Sequence, residues 1–461
     1  MSTLKLAWRN LLRNRRRTLA TLLTMVVGMI AVLLFGGYHR TVVYGLQTAF
    51  VRGGGHLQVQ HKDYFVYGGG NPAAFGVNDY QRVMRVIADD PQLKPMIAVI
   101  TPILTLGGIA GHYAVGASRT VMALGSEADG QNRLRQWDDY HFGDRFRLKP
   151  VALTGTSPDS AVIGVGVARV LQLCEALQVR HCPPGPKTAA TASDPLPADI
   201  AALADAEARP AADDRIELLA ATASGAPNVA RLKLVKAESQ GVKELDDMYV
   251  GLHLRQAQQL VYGNSPPSVT AIVVQLRHSS QIDAASARLK QLFAGPLKDQ
   301  PLAARDFATL QPQYGQITGM FGTIFGFVSL LIGCVALFTI GNTMNMVVLE
   351  RTVEIGTLRA MGLRRAGIRR LFLCEGVLLG AAGSALGVLA SLLLAALINR
   401  AGLTWTPPGS VEPNPILIIL WGEYRLLGLS SLGLLLMATL SAWWPARRAA
   451  RFDIVDALRH A

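Results

Sequence analysis

Residues 18–38, 317–349 and 426–444 contain no charged side chain, and residues 371–398 contain only Glu375. A hydrocarbon core of about 30 Å is crossed by roughly 20 apolar residues in helical form, so each of these runs is long enough to span a bilayer. Only helices and closed barrels satisfy their own backbone polar groups in lipid. Four such runs therefore predict an α-helical membrane protein with four transmembrane helices. At about 1.5 Å per residue, the 317–349 run outreaches the hydrocarbon core, so part of it is expected to project from the bilayer. Gly322, Gly326, Gly333, Gly380, Gly383 and Gly387 lie within the runs, where small residues let helices approach closely.

The charge is distributed to match. With 45 Lys plus Arg against 32 Asp plus Glu, the net charge is +13, a balance that on a soluble chain would suggest nucleic acid. Here the bases sit beside the apolar runs instead. Lys5, Arg9, Arg13, Arg15, Arg16 and Arg17 precede the first run. Arg351, Arg359, Arg364, Arg365, Arg369 and Arg370 lie between the second and third, and Arg447, Arg448, Arg451 and Arg459 follow the fourth. Short basic segments remain in the cytoplasm. This orders the chain as a cytoplasmic basic segment (1–17), a first span (18–38), a large outer domain (39–316), a second span (317–349), a cytoplasmic loop (350–370), a third span (371–398), an outer loop (399–425), a fourth span (426–444) and a cytoplasmic tail (445–461). The expectation is a multi-pass protein of a bacterial inner membrane with a periplasmic domain, membrane lipids as partners and no nucleic acid. A cleaved signal peptide fits poorly, because the first apolar run exceeds the usual length and residues 35–40 offer no small-residue cleavage site.

Residues 39–316 read as a mixed α/β domain inserted between the first and second spans. Strand candidates are 57–60, 97–106, 120–124, 161–165, 230–235 and 269–276, most of them β-branched and bounded by Gly, Pro or Asn. Helices are expected at 253–262 and 281–293, the latter with Ile282, Ala285, Leu289 and Leu292 on one face. Residues 182–214 are rich in Ala, Pro and Asp and read as a flexible insertion. Cys174 and Cys182 flank its start as a candidate disulfide, which their spacing alone does not decide. Cys334 and Cys374 lie in or beside spans and read as small apolar packing residues.

No His-Glu-x-x-His, Cys-x-x-Cys or Gly-x-Ser-x-Gly pattern occurs. His56 and His61 are close in sequence but lack a third ligand, so no metal site is expected. The Gly185-Pro186-Lys187-Thr188 stretch lacks the first glycine of a phosphate-binding loop. The chain is therefore expected to be non-catalytic, without a cofactor of its own. Glu375 is an ionisable group inside an apolar run. A salt bridge to Arg369 or Arg370, snorkelling to the interface, and a role in transport all remain open for it.

The most informative stretch joins the second and third spans: Glu350-Arg351-Thr352-Val353-Glu354-Ile355-Gly356-Thr357-Leu358-Arg359-Ala360-Met361-Gly362. Ile355 and Leu358 are three apart, Glu350 and Glu354 are four apart, and Gly362 can end a short helix. This stretch closely resembles the coupling helix of the MacB/FtsX-like family of ABC transporter permeases, whose signature runs Glu-Arg-x-x-Glu-Ile-Gly-x-x-Arg-Ala-x-Gly. Residues 9–18 resemble the family's approach helix, residues 445–451 and 456–459 its exit, and residues 55–59, 160–165 and 250–260 the outer domain of its longer members. Where the family often has proline, Ile454 or Val455 stands here.

The resemblance implies a permease dimer, of a second copy or a paralogue, bound to a cytosolic ABC ATPase dimer that holds the ATP and Mg. Glu350, Arg351, Thr352, Glu354, Ile355, Gly356, Leu358, Arg359, Ala360 and Gly362 would receive movement from that ATPase, and the second span would carry it outward as mechanotransmission. The size of the outer domain points to the lipoprotein-releasing or efflux branches. Extraction of lipoprotein or lipophilic cargo is the first expectation. Drug, toxin or peptide efflux through a periplasmic adaptor or carrier, and regulation of cell-wall hydrolases, are the rivals.

Overall fold

Apolar side chains on every face leave helix as the only self-satisfied backbone in lipid, and each expected span lies within a longer helix. The computed structural model describes residues 3–13, 15–143, 148–179, 214–406, 410 and 413–452. Among these, helices of eight or more residues are numbered α1 (Thr3–Arg13), α2 (Arg15–Gly54), α3 (Tyr80–Asp89), α4 (Ala128–Arg135), α5 (Leu254–Tyr262), α6 (Ile282–Ala294), α7 (Pro312–Glu350), α8 (Thr352–Ala360), α9 (Arg365–Ala401) and α10 (Tyr424–Ala449). Helices α2, α7, α9 and α10 are long and apolar enough to cross a membrane. Helix α2 outruns the expected 18–38 span: Arg40 and Arg52 end the apolar run but not the helix, since arginine is a good helix former. With 39 residues, α7 is about 58 Å long.

The chain divides into two compact units: Met1–Gly45 with Gly315–Trp405 and Asn414–Ala461, and Leu46–Tyr314 with Thr406–Pro413. In the first, α9 packs through glycines on two sides. A Cβ on Gly376 would lie 2.7 Å from Ala442, and one on Gly380 3.0 Å from Ala438, both on α10. Gly383 and Gly387 face Met25 and Met29 of α2 in the same way, at 3.0 and 2.6 Å. Gly333 meets Met437 at 3.0 Å, whereas Gly322 and Gly326 have open space around them among the described residues. At the start of α10, Glu423 accepts from Tyr44 Oη of α2 (2.8 Å) and pairs with Arg40 (3.5 Å).

The second unit is built on β1 (Leu57–His61), β2 (Ile97–His112), β3 (Ala117–Ser126), β4 (Ser160–Gly164), β5 (Arg215–Ala221), β6 (Pro227–Glu238), β7 (Tyr249–His253), β8 (Ala271–Leu276) and β9 (Leu302–Asp306). The strand order is β3-β7-β4-β6-β5-β2-β8-β1-β9, and β3 also pairs with β2, so six strands close into a ring. Strand β2 serves two neighbourhoods. Residues 97–103 pair with β8, while 103–112 pair with β3 and 108–111 with β5. The pairs β3–β7 and β4–β6 are parallel and the other pairs antiparallel.

Period-two burial fills the ring: Ile216, Leu218 and Ala220 of β5 point inward with Ala230, Leu232 and Leu234 of β6. The expected strands and helices of this region all occur, and β5, β7 and β9 are added to them. Val269 lies outside β8 and bridges to Val77 instead. Residues 182–213 of the expected insertion, Cys182 among them, lie outside the described residues, while Cys174 is disulfide-bonded.

His56 is fully buried beside Trp137, with ring centroids 4.9 Å apart. Its Nδ1 accepts from the Leu276 N–H at 3.0 Å, which leaves the proton on Nε2 to be donated to Ser279 Oγ at 3.2 Å. Burial pushes the imidazole down to about 4. His61 lies apart from this arrangement, on β1, where its Nδ1 accepts from the Asp63 N–H.

Candidate functional site

Helices α7 and α8 are separated by one residue, Arg351, whose φ of −101° and ψ of 17° break the helix. Thr352 opens α8, its Oγ1 donating to the Leu349 carbonyl at 2.6 Å. At the far end Gly362 takes φ +94°, which its missing Cβ permits. The Leu363 N–H donates to the Leu358 carbonyl and the Gly362 N–H to the Arg359 carbonyl, both at 3.0 Å, which is the Schellman closure of a helix.

One face of α8 is anchored. Ile355 is 3% exposed and packs with Val348 of α7, Ile368 and Phe372 of α9, and Ala446 and Ala449 of α10; Leu358 joins them at the edge. Gly356 is also buried. Arg359 Nη1 donates to the Phe452 carbonyl. The opposite face is open: Val353, Glu354, Thr357 and Ala360 are exposed, and Met361 beyond them is 72% exposed. The three-residue spacing of Ile355 and Leu358 thus divides a packed side from a free side.

The acidic residues are held by the N-terminal helices. Glu350 pairs with Arg17 and Glu354 with Arg13. Two arginines four apart meet two glutamates four apart, a match that could have been read from the spacing. All four side chains are more than 40% exposed, so each pair contributes about 1 kcal/mol or less and serves orientation more than stability.

Beneath them lies a buried polar cluster. The Glu375 and Arg351 side chains are 2% and 7% exposed, and Arg351 Nη1 donates to Glu375 Oε1 at 3.3 Å. Asn10 Nδ2 donates to the same oxygen at 2.7 Å, and Arg351 Nη2 donates to the Asn10 carbonyl at 3.2 Å. Glu375 is therefore paired, but not with Arg369 or Arg370, which are exposed on the outer face of α9. Its partner comes from 24 residues earlier, across the turn between two helices. Asn10, Arg13, Arg17, Ile368, Phe372 and Phe452 complete the arrangement, and no local sequence pattern marks them as site residues. Among the described residues, no three His, Cys, Asp or Glu side chains converge as metal ligands.

Comparison with known proteins places this hairpin within a recognised domain. Residues 326–454 match the FtsX-like permease C-terminal domain. The chain is 25% identical over 233 residues to the uncharacterized ABC transporter permease MJ1507 of Methanocaldococcus jannaschii, which covers 50% of this chain and 55% of that one. It is 34% identical over 139 residues to the macrolide export ATP-binding/permease protein MacB of Escherichia coli K12, 30% of this chain and 19% of that protein. The chain thus spans about half of the first relative and a fifth of the second. A structural match to the extracellular domain of the noncanonic ABC-type transporter YknZ from Gram-positive bacteria covers 54% of this chain and 98% of that domain, at 12% identity and a TM-score of 0.27.

Proposed function

We propose that this chain, which carries an FtsX-like permease C-terminal domain, is a membrane subunit of an ABC transporter whose ATP is hydrolysed by a separate cytosolic ATPase dimer. Nucleotide and Mg belong to that partner, and the permease acts as a dimer with a second copy or a paralogue. The observation that carries the reading is α8: a short helix joined to the 39-residue α7 by one residue, packed on one face and exposed on the other. In this reading the exposed face receives the ATPase, and α7, unbroken over its whole length, passes the movement to the opposite side of the membrane. The basic segments 1–17, 350–370 and 445–461 then lie in the cytoplasm and the inserted domain in the periplasm of a bacterial inner membrane.

The cargo that fits first is lipoprotein or another lipophilic molecule drawn from the membrane and handed to a periplasmic carrier. Efflux through an adaptor is the second reading, favoured by the match to a macrolide exporter. Regulation of cell-wall hydrolases is the third. Depletion separates them: lipoproteins retained in the inner membrane support extraction, drug sensitivity with normal lipoproteins supports efflux, and altered septation alone supports the regulator.

Coupling itself is tested by Glu354→Lys, which sets a lysine against Arg13, and Gly356→Trp, which cannot fit a buried glycine position. Both variants are expected to insert in the membrane while losing stimulation of the partner ATPase. Normal stimulation in both would remove the assignment.

A further inference from the structure

We propose that Asn10 and Glu375 are positioning residues for the joint between α7 and α8: they clamp the guanidinium of Arg351, so that displacement of α8 moves α1, α7 and α9 together. The proposal rests on the coupling role assigned to α8 and goes beyond it in naming what makes the joint rigid.

Backbone alone does not make it rigid. A single residue in the sparsely populated region near φ −101° and ψ 17° separates the two helices, and small rotations about one residue swing everything beyond it. The side chain of that same residue is held from two sides. Its two terminal nitrogens donate to Glu375 on α9 and to the Asn10 carbonyl on α1, and Asn10 donates in turn to Glu375. The three groups form a closed hydrogen-bonded triangle that ties the joint between α7 and α8 to α1 and α9.

One nitrogen of the guanidinium stands outside the triangle. Arg351 Nε is buried with no hydrogen-bond partner among the described residues. It borders a cavity of about 30 Å³ that Thr18, Thr21 and Thr343 also line. Each of these hydroxyls donates to a helix carbonyl, to Leu11, Arg17 and Thr339 respectively, which leaves each oxygen able to accept. A cavity of this size has room for one water molecule. The guanidinium is therefore fixed at its two terminal nitrogens, which holds Arg351 between α1 and α9.

A buried pair could instead be retained for folding alone, and a hydrophobic replacement separates the two roles. Such replacements of a buried ion pair are commonly neutral or stabilising. The double variant Arg351→Met/Glu375→Leu and the single variant Asn10→Ala would be made in the full chain, reconstituted in lipid nanodiscs with the ATPase that co-purifies with the wild type. Thermal unfolding, ATPase retention and ATP hydrolysis are measured.

The expected result is an unchanged or higher Tm and full ATPase retention for the double variant, with permease-dependent stimulation reduced at least tenfold; Asn10→Ala is expected to reduce it several-fold. Stimulation within twofold of wild type in both overturns the proposal. Loss of stimulation accompanied by loss of Tm or of ATPase retention also overturns it, in favour of a structural role. Glu354→Lys serves as the reference. If it abolishes stimulation while the clamp variants do not, only the clamp is wrong. If it and Gly356→Trp both leave stimulation intact, or if no ATPase co-purifies with the wild type, the coupling assignment fails and the clamp with it.

Discussion

Gly387 faces Met29 so closely that a Cβ on the glycine would lie 2.6 Å from the methionine Cβ. Helices α9 and α2 therefore meet where only hydrogen fits. Gly387→Leu is expected to destabilise the chain by about 1 to 3 kcal/mol, the usual cost of overpacking. Gly433→Leu, at a position with open space around it, should change stability by no more than about 0.5 kcal/mol. Thermal unfolding of both variants in the same detergent makes the comparison; equal Tm values would contradict the close approach.

The end of α8 gives a second expectation. Gly362→Val places a β-branched residue at φ +94°, where an L side chain costs about 1 to 2 kcal/mol. Hydrogen exchange at the amides of residues 362 and 363, which close the helix onto Arg359 and Leu358, should accelerate by about tenfold. Gly362→Asn should be milder, because asparagine visits this conformation more readily. Unchanged protection in the valine variant would show that the closure does not hold the helix end.

A third concerns pH. The His56 imidazole has a folded value of about 4, against about 6.5 when unfolded. Between those values the unfolded chain binds a proton that the folded chain does not, so stability rises with pH across that window. The contribution is complete above about pH 6.5 and falls on acidification by about 3 kcal/mol at most. Chemical unfolding followed by tryptophan fluorescence, with Trp137 against the ring, should show this slope. His56→Phe should flatten it even if its stability is lower throughout. An identical slope in the variant would assign the titration to other groups.

The spans were legible because lipid imposes a single rule over some twenty residues. Their ends were not, because Arg40 and Arg52 interrupt hydropathy without interrupting helix. In the inserted domain, β2 and β8 carry β-branched runs that announce strands. Strand β9, Leu-Ala-Ala-Arg-Asp, carries no such signal and forms because β1 offers it an edge. Strand β5 alternates Ile216, Leu218 and Ala220, a period visible only once its flanks are known.

At the hairpin, the helix, its packed face and its glycine end follow from local spacing. The partner of Glu375 does not. Arg369 and Arg370 are near in sequence but turn outward on α9, whereas Glu375 turns inward toward residues 24 and 365 positions away. Such pairing is set by how helices pack, and no local pattern encodes it.

Strands β1 and β9, on which the chain enters and leaves the inserted domain, are hydrogen-bonded neighbours, with Leu57 opposite Asp306 and His61 opposite Leu302. These two strands are thus only about 4.8 Å apart. A sheet whose first and last strands lie side by side can be enlarged, trimmed or replaced between them without changing the distance from one to the other.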